Sequence, residues 1–213
     1  MFTVQQFKDK REFLLGLAAH KDETYIIENA ASNVLISAPH FVRQVRLGRI
    51  KSAEPTTGSL AIILNELTNC NVIIKVANES NDANFDERSV YKTKMRQLIK
   101  KHNITKILDL HSLAEGRDEI VNVGIYHGSL LQTPEKEKKF DTLMHHFKTN
   151  GLDVRVDNPF AASPRTLTYY FGRDKKLFVT QIESNTKIFT YTDYENVMNN
   201  FISAIKNFIV GGA

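Results

Sequence analysis

The chain has 213 residues, 42% of them hydrophobic, which is enough for one domain with a sizeable core. Its single cysteine, Cys70, excludes an intramolecular disulfide framework, and no apolar run approaches the ~18 residues of a membrane-spanning helix. The net charge is +4, but the basic residues are interspersed with acidic ones, which disfavours nucleic acid as the partner. With no apolar leader at the N-terminus, we expect a single cytoplasmic domain over residues 1–213 that has no membrane partner.

Strand-like and helix-like segments alternate along the chain, which predicts an α/β domain of three layers with a mixed, largely parallel sheet. Predicted strands, several of them continuous apolar runs, cover residues 25–28, 34–38, 72–76, 106–110, 120–125, 153–156 and 177–182. Helical periodicity predicts a short N-terminal helix, a second helix over residues 57–67, and three later helices. The later three have Asp86, Thr133 and Thr192 as predicted N-caps, and Gly151 is predicted to end the middle one.

Two histidines follow predicted strands directly. His40 comes after strand 34–38 and Pro39, which cannot continue a ladder, and His111 comes after strand 106–110. Open α/β sheets place their sites at the carboxyl ends of their strands. We therefore expect both histidines to lie at one edge of the sheet, where they would form part of a metal site.

A catalytic zinc site needs a third protein ligand and a base. Glu54 is the best third ligand, because it lies in a loop that Pro55 fixes at the start of a helix. Asp109 points to the same face of its strand as His111, where it can accept a hydrogen bond from an imidazole N–H. Glu183 ends a third apolar strand and is the candidate general base. The same ligands also suit iron, cobalt or manganese.

Each of these residues has an ordinary structural interpretation when it is taken alone. A histidine at a strand end is more often a satisfied structural residue than a ligand, and Glu54 suits the positive end of a helix dipole. Glu183 could pair with a nearby lysine. The prediction of a metal site therefore depends on the combination.

Four motifs occur in order along the chain: Ser-Ala-Pro-His40, Glu54-Pro-Thr-Thr-Gly-Ser-Leu-Ala, Asp109-Leu-His111-Ser and Gln181-Ile-Glu183. The set resembles the N-formylglutamate amidohydrolase family, which is related to zinc carboxypeptidases and aspartoacylases, and the resemblance runs from about residue 33 to residue 195. It implies a phosphorylase/hydrolase-like α/β fold and zinc-dependent amide hydrolysis. It also implies one zinc ion held by His40, Glu54 and His111, with Glu183 as the general base.

Two segments resemble the substrate loops of that family but depart from its pattern. Residues 78–86 resemble its Asn-containing loop, where the family tends to follow Asn with Arg, whereas Asn84 here precedes Phe85. Residues 158–172 resemble a second loop, with Ser163-Pro164 in place of paired glycines. Substrate-binding candidates are Arg117 and Arg165 for a carboxylate, with Arg46 or Arg49 as secondary candidates and Asn84 in the first loop.

The sequence thus predicts a zinc-dependent amidohydrolase acting on a small molecule or short peptide that carries a carboxylate, such as an N-acyl amino acid. A zinc carboxypeptidase or poly-γ-glutamate-type peptidase is the first alternative. A non-enzymatic basic module that binds nucleic acid or another anion, with structural histidines, is the second. A non-catalytic metal protein is the third, which Glu183 disfavours. The sequence does not specify an oligomeric state.

Overall fold

A seven-stranded sheet forms the framework of the computed structural model, which describes residues 1–17, 24–77 and 81–211. The strands of these ranges are β1 (Thr24–Ile27), β2 (Val34–Ala38), β3 (Gln44–Arg46), β4 (Arg49–Lys51), β5 (Asn71–Lys75), β6 (Lys106–Leu113), β7 (Val121–Gly124), β8 (Val154–Val156) and β9 (Phe178–Asn185). The sheet order is β1-β5-β2-β6-β9-β7-β8, and β3 pairs with β4 in a separate hairpin. Strands β5, β2, β6 and β9 are mutually parallel, whereas β1 and β7 run antiparallel to their neighbours β5 and β9.

Helices pack on both faces of this sheet. They are α1 (Val4–Leu17), α2 (Pro55–Thr68), α3 (Val90–Lys101), α4 (Pro134–Thr149), α5 (Leu167–Gly172), α6 (Lys187–Thr190) and α7 (Glu195–Val210). Alternate strand residues enter two separate apolar clusters, because successive side chains of a strand point to opposite faces. Ile36 and Leu108 pack with α1, α2, α4, α6 and α7, whereas Leu35 and Ile107 pack with α3 and α5. The predicted α/β class with a mixed, largely parallel sheet is confirmed.

Two strands are longer than the sequence predicted. Strand β6 continues to Leu113 and β9 to Asn185, so His111 and Glu183 lie inside strands rather than after them. The polar ends of the two strands pair with each other in parallel register, since ladder hydrogen bonds do not depend on side-chain polarity. The pairing sets His111 directly beside Glu183.

The β3–β4 hairpin was not predicted. Its two-residue turn consists of Leu47 and Gly48, both with positive φ (50° and 74°), as the tight turns that join antiparallel strands require. The predicted helix over residues 57–67 is present as α2 and is slightly longer than expected, and the N-terminal helix is present as α1, which at 14 residues is longer than the short helix expected. Thr133 caps α4 by accepting a hydrogen bond from Lys136 N, and Gly151 follows its end with φ 72°, as predicted.

Two predicted N-caps are wrong. Ser89, not Asp86, caps α3, because the carboxylate of Asp86 accepts the backbone N–H of Asp82 (2.7 Å) instead. Thr192 begins a 3-10 turn and does not cap α7. The carboxylate of Glu195, which a capping box would turn back on Thr192, accepts a backbone N–H of α1 (2.9 Å). Among the described residues, no helix is both long and apolar enough to cross a membrane.

The loop after β8 lies against β7 at Gly124. Asn122 holds this loop, since its Nδ2 donates to Phe160 O (2.8 Å) and its Oδ1 accepts from Asn158 N (2.9 Å). A Cβ at Gly124 would lie 3.0 Å from Ala162 N and 3.1 Å from Phe160 O. The absent side chain therefore permits the close approach of the loop to the sheet.

We predict that Gly124→Ala lowers the free energy of unfolding by about 1–3 kcal/mol, because the methyl group overpacks against loop backbone. Denaturant unfolding measures the change. Gly116→Ala is the matched control, since a Cβ there meets nothing within 4 Å, and it should change stability by less than about 0.5 kcal/mol. Equal effects of the two substitutions would contradict the close-packing role of Gly124.

Candidate metal centre

Three of the predicted site residues meet at the carboxyl ends of β2 and β6. His40 lies in the turn after β2, Glu54 lies immediately before α2, and His111 lies in β6. One ligand atom from each side chain can be chosen so that all lie within 4.8 Å of one another. The exposed fractions of these residues are 1%, 9% and 2%.

Both imidazole rings present Nδ1 to the carboxylate of Glu54. His40 Nδ1 lies 3.1 Å from Glu54 Oε1, and His111 Nδ1 lies 3.2 Å from Glu54 Oε2. The two rings meet edge to face with centroids 4.7 Å apart. Two ring nitrogens and one carboxylate thus face one another in a buried space.

The opposite ring nitrogens each meet an aspartate. His40 Nε2 lies 2.9 Å from Asp82 Oδ1, and His111 Nε2 lies 3.3 Å from Asp109 Oδ2. A carboxylate at Nε2 favours the tautomer with the proton there, which leaves Nδ1 free to bind a cation. Asp109 was predicted from its position in β6. Asp82 was missed, because it lies in a loop and 42 residues from its histidine.

Backbone and side-chain groups fix Glu54 between the histidines. Its N–H donates to His40 O (2.8 Å), and its Oε2 accepts the N–H of Ser112 (3.1 Å). Lys51, at the end of the β3–β4 hairpin, forms a close ion pair with Oε1. The hairpin thus folds the chain between His40 and Glu54 back on itself. It brings these two residues into contact although they are 14 positions apart in the sequence.

Glu183 lies beside this group and is 5% exposed. Its Oε1 accepts a hydrogen bond from Gln181 Nε2 (2.5 Å). Burial raises the pKa of Glu183 to about 7, against the opposing influence of His111. A carboxylate with a pKa near neutrality is suited to accept and return a proton at physiological pH.

A cavity of about 380 Å³ opens on these side chains. The three candidate ligands, Gln181 and Glu183 line it, together with Arg46, Asn84 and the loop 159–163. Asn84 Oδ1 accepts the N–H of Leu167 (2.6 Å), which joins the two predicted substrate segments. Residues 78–80 of the first segment lie outside the described residues.

The four candidate arginines occupy different places. Arg46 lines the cavity, and its Nε donates to Asp82 Oδ2 (2.6 Å). Arg117 lies over the ring of Phe160 at 5.3 Å, Arg165 lines a neighbouring cavity, and Arg49 is exposed on the hairpin. The secondary candidate Arg46 therefore lies nearest to the predicted chemistry.

The donor set fits a zinc ion. Two imidazole nitrogens and one carboxylate are a common ligand set of catalytic zinc, which keeps a further position open for water or substrate. Here the open side would be the cavity that Glu183 lines. The same donors also suit iron, cobalt or manganese.

The fold is one found among hydrolases. The N-formylglutamate amidohydrolase from Ralstonia eutropha JMP134 superposes with a TM-score of 0.55 at 11% identity, over 90% of this chain and 99% of that chain. A metallo-carboxypeptidase from Burkholderia cenocepacia gives 0.56 at 12% identity, over 97% and 70%. Succinylglutamate desuccinalase from Vibrio parahaemolyticus gives 0.54 at 15% identity, over 90% and 72%.

These similarities confirm the fold that the sequence motifs implied, and at such low identity they establish the fold alone. No protein-family model and no curated protein sequence matches the chain.

We predict that zinc affinity rises with pH. Burial lowers the pKa of His111, but the carboxylates of Asp109 and Glu54 outweigh it and hold that pKa well above its usual value. These carboxylates therefore favour the doubly protonated imidazolium form of His111 in the metal-free protein, and zinc must displace the proton on Nδ1. Affinity should increase by up to about tenfold per pH unit, with release of about one proton, in calorimetry with buffers of different ionisation enthalpy.

His145→Ala, an exposed histidine of α4, is the control and should behave as the wild type. A zinc affinity that stays constant from about pH 6 to about pH 8, across the normal histidine range, would contradict the assignment of His111 as a ligand.

Proposed function

We propose that this protein is a zinc-dependent hydrolase that cleaves an amide bond in a small carboxylate-bearing substrate, such as an N-acyl amino acid. The observation that carries the proposal is the buried set of His40, Glu54 and His111, which shares one cavity with Glu183. The hydrolases with the same fold, an N-formylglutamate amidohydrolase among them, support it.

In this proposal the two imidazoles and Glu54 hold the ion. Bound there, it would supply Lewis acidity at the floor of the cavity. Asp82 and Asp109 keep the Nε2 protons of the histidines in place and so orient the Nδ1 atoms. The protein residues perform the remaining work of binding and proton transfer.

Glu183 is the proposed general base. In its ionised form it accepts a proton from the attacking water and later gives that proton to the leaving nitrogen. Gln181 donates to Oε1, which holds the carboxylate in one orientation and leaves Oε2 for the proton. The pKa of about 7 that burial produces keeps both protonation states accessible near neutral pH.

Arg46 is the proposed partner of the substrate carboxylate. Its Nε is bound to Asp82, so the two terminal nitrogens of the guanidinium remain for a bidentate contact. The centroid of the Phe85 ring lies 4.9 Å from the guanidinium carbon, a cation–π contact that restricts where the group can move. Asn84 and the loop 159–163 line the rest of the cavity.

A zinc carboxypeptidase remains the second candidate, which the fold shared with metallo-carboxypeptidases favours. A panel of N-formyl-, N-acetyl- and N-succinyl-L-glutamate with peptides bearing a free C-terminus separates the two activities. An amidohydrolase cleaves the N-acyl glutamates, and a carboxypeptidase releases the terminal residue of the peptides.

We predict that Glu183→Gln lowers kcat on the best substrate of this panel by at least about a hundredfold, because the amide accepts no proton from water. Zinc content, measured by elemental mass spectrometry, should stay at that of the wild type. Glu137→Gln, on the surface of α4, is the matched control and should retain full activity. Full activity of Glu183→Gln would exclude it as the base, and hydrolysis of no substrate by the zinc-loaded wild type would contradict the proposed function.

A further inference from the structure

A second cavity, of about 450 Å³, lies on the other side of the Arg46–Phe85 contact. Arg46 lines the cavity that opens on His40, Glu54 and His111, which we name the metal cavity. Phe85 and Arg165 line the second cavity. The guanidinium of Arg165 lies 5.1 Å from the centroid of the ring on which Arg46 also rests. One phenylalanine and two arginines therefore lie between the two cavities, and the second cavity begins at the ring against which Arg46 packs.

A third cavity, of about 350 Å³, continues the second. The two share Tyr170 and Arg173, and the third extends along α3 to Arg96 and Lys100. The phenol of Tyr170 accepts a hydrogen bond from Arg96 Nη1 (3.0 Å). Arg173 lies over the ring of Tyr169 at 5.8 Å. We name the second and third cavities together the basic groove.

Cations outnumber acids along the basic groove. Its lining contains five cationic residues, which are Lys92, Arg96, Lys100, Arg165 and Arg173, and three acidic ones, which are Asp86, Glu87 and Asp174. Two of the acids are engaged with backbone, since Asp86 accepts the N–H of Asp82 and Asp174 accepts that of Lys176. Within ranges 1–17, 24–77 and 81–211, neither Arg165 nor Arg173 has a carboxylate partner.

Lys92 has a structural role in this groove. It is 1% exposed, and its Nζ donates to the carbonyl oxygens of Asn84 (3.1 Å) and Asp86 (2.8 Å). The exposed arginines are the groups that remain for a ligand. Guanidinium groups backed by aromatic rings are pre-oriented for bidentate contact with carboxylates, and they lose little freedom on binding.

We propose that the basic groove binds the chain of an acidic peptide, so that the carboxylate-bearing substrate of the metal centre is a short peptide of several acidic residues rather than the single N-acyl amino acid named above as an example. The cleavage step rests on the proposed function, whereas binding in the groove does not. A single N-acyl amino acid would occupy the metal cavity and leave the groove empty. A peptide with successive carboxylates instead places one group at Arg46 and further groups at Arg165 and Arg173. An amide-cleaving site at the end of the groove favours a peptide over a polyphosphate chain.

The test uses fluorescein-labelled hexa-L-glutamate and fluorescence anisotropy on the full chain, with Glu183→Gln as the background to prevent turnover. Unlabelled N-acetyl-L-glutamate competes for the metal cavity. We expect hexaglutamate to bind at least about tenfold more tightly than N-acetyl-L-glutamate, and Arg173→Glu to weaken hexaglutamate alone by at least about tenfold. Arg155→Glu, the same charge change at an exposed position of β8, should weaken it less than about twofold.

Three results would overturn the inference: hexaglutamate no tighter than N-acetyl-L-glutamate, equal losses for Arg173→Glu and Arg155→Glu, or tighter binding of labelled hexauridylate, which would assign the groove to nucleic acid. The proposed function fails separately. Hexaglutamate binding that depends on Arg173, with no hydrolysis of any amide by zinc-loaded wild type, would retain the groove and reject the hydrolase. Hydrolysis of N-acyl amino acids, with no hexaglutamate binding in the groove, would retain the hydrolase and reject the groove.

Discussion

The buried carboxylate of Glu54 is the group on which the arrangement of the site depends. A buried charge is stable only when partners compensate its lost hydration. Burial raises the pKa of Glu54, but His40 and His111 outweigh it and hold that pKa well below its usual value. The N–H of Ser112 and the ammonium of Lys51 complete the compensation. Three segments, which are the turn after β2, the hairpin and β6, are therefore tied to one side chain at the start of α2.

Two glutamates at the same edge of the sheet thus have opposite electrostatic environments. Glu54 contacts two imidazoles, an ammonium group and a backbone N–H, whereas Glu183 has one amide donor and a pKa raised by burial to about 7. Such a separation of pKa values divides the roles of two carboxylates, one as a permanent anion and one as a proton carrier. The two aspartates that contact the histidines have partners of their own. Asp82 is paired with Arg46, and Asp109 accepts a hydrogen bond from the hydroxyl of Ser37 (2.8 Å).

The sequence predicted the parts of the site that strand order determines. Parallel strands bring their carboxyl ends to one edge, so His40, His111 and Glu183 could be placed together from pattern alone. Contacts made by loops could not be predicted, because no periodicity indicates which loop residue meets which histidine, and Asp82 was missed for that reason. Helix starts were ambiguous in the same way, since Asp86 and Ser89 are both good N-cap residues and only the loop path selects Ser89. The lengths of β6 and β9 were underestimated, because the polar residues at their ends do not look like strand residues in the sequence. In the structure those residues continue the parallel pairing of the two strands.

Anomalous X-ray diffraction at the zinc absorption edge, from crystals of the zinc-loaded protein, locates the ion and so tests whether His40, Glu54 and His111 hold it. We expect one strong peak between the Nδ1 atoms of His40 and His111 and the carboxylate of Glu54, at about 2.0–2.2 Å from each donor atom. The peak should face the cavity that Glu183 lines. Zinc bound elsewhere, or no peak at these three side chains, would contradict the metal centre and with it the proposed hydrolysis.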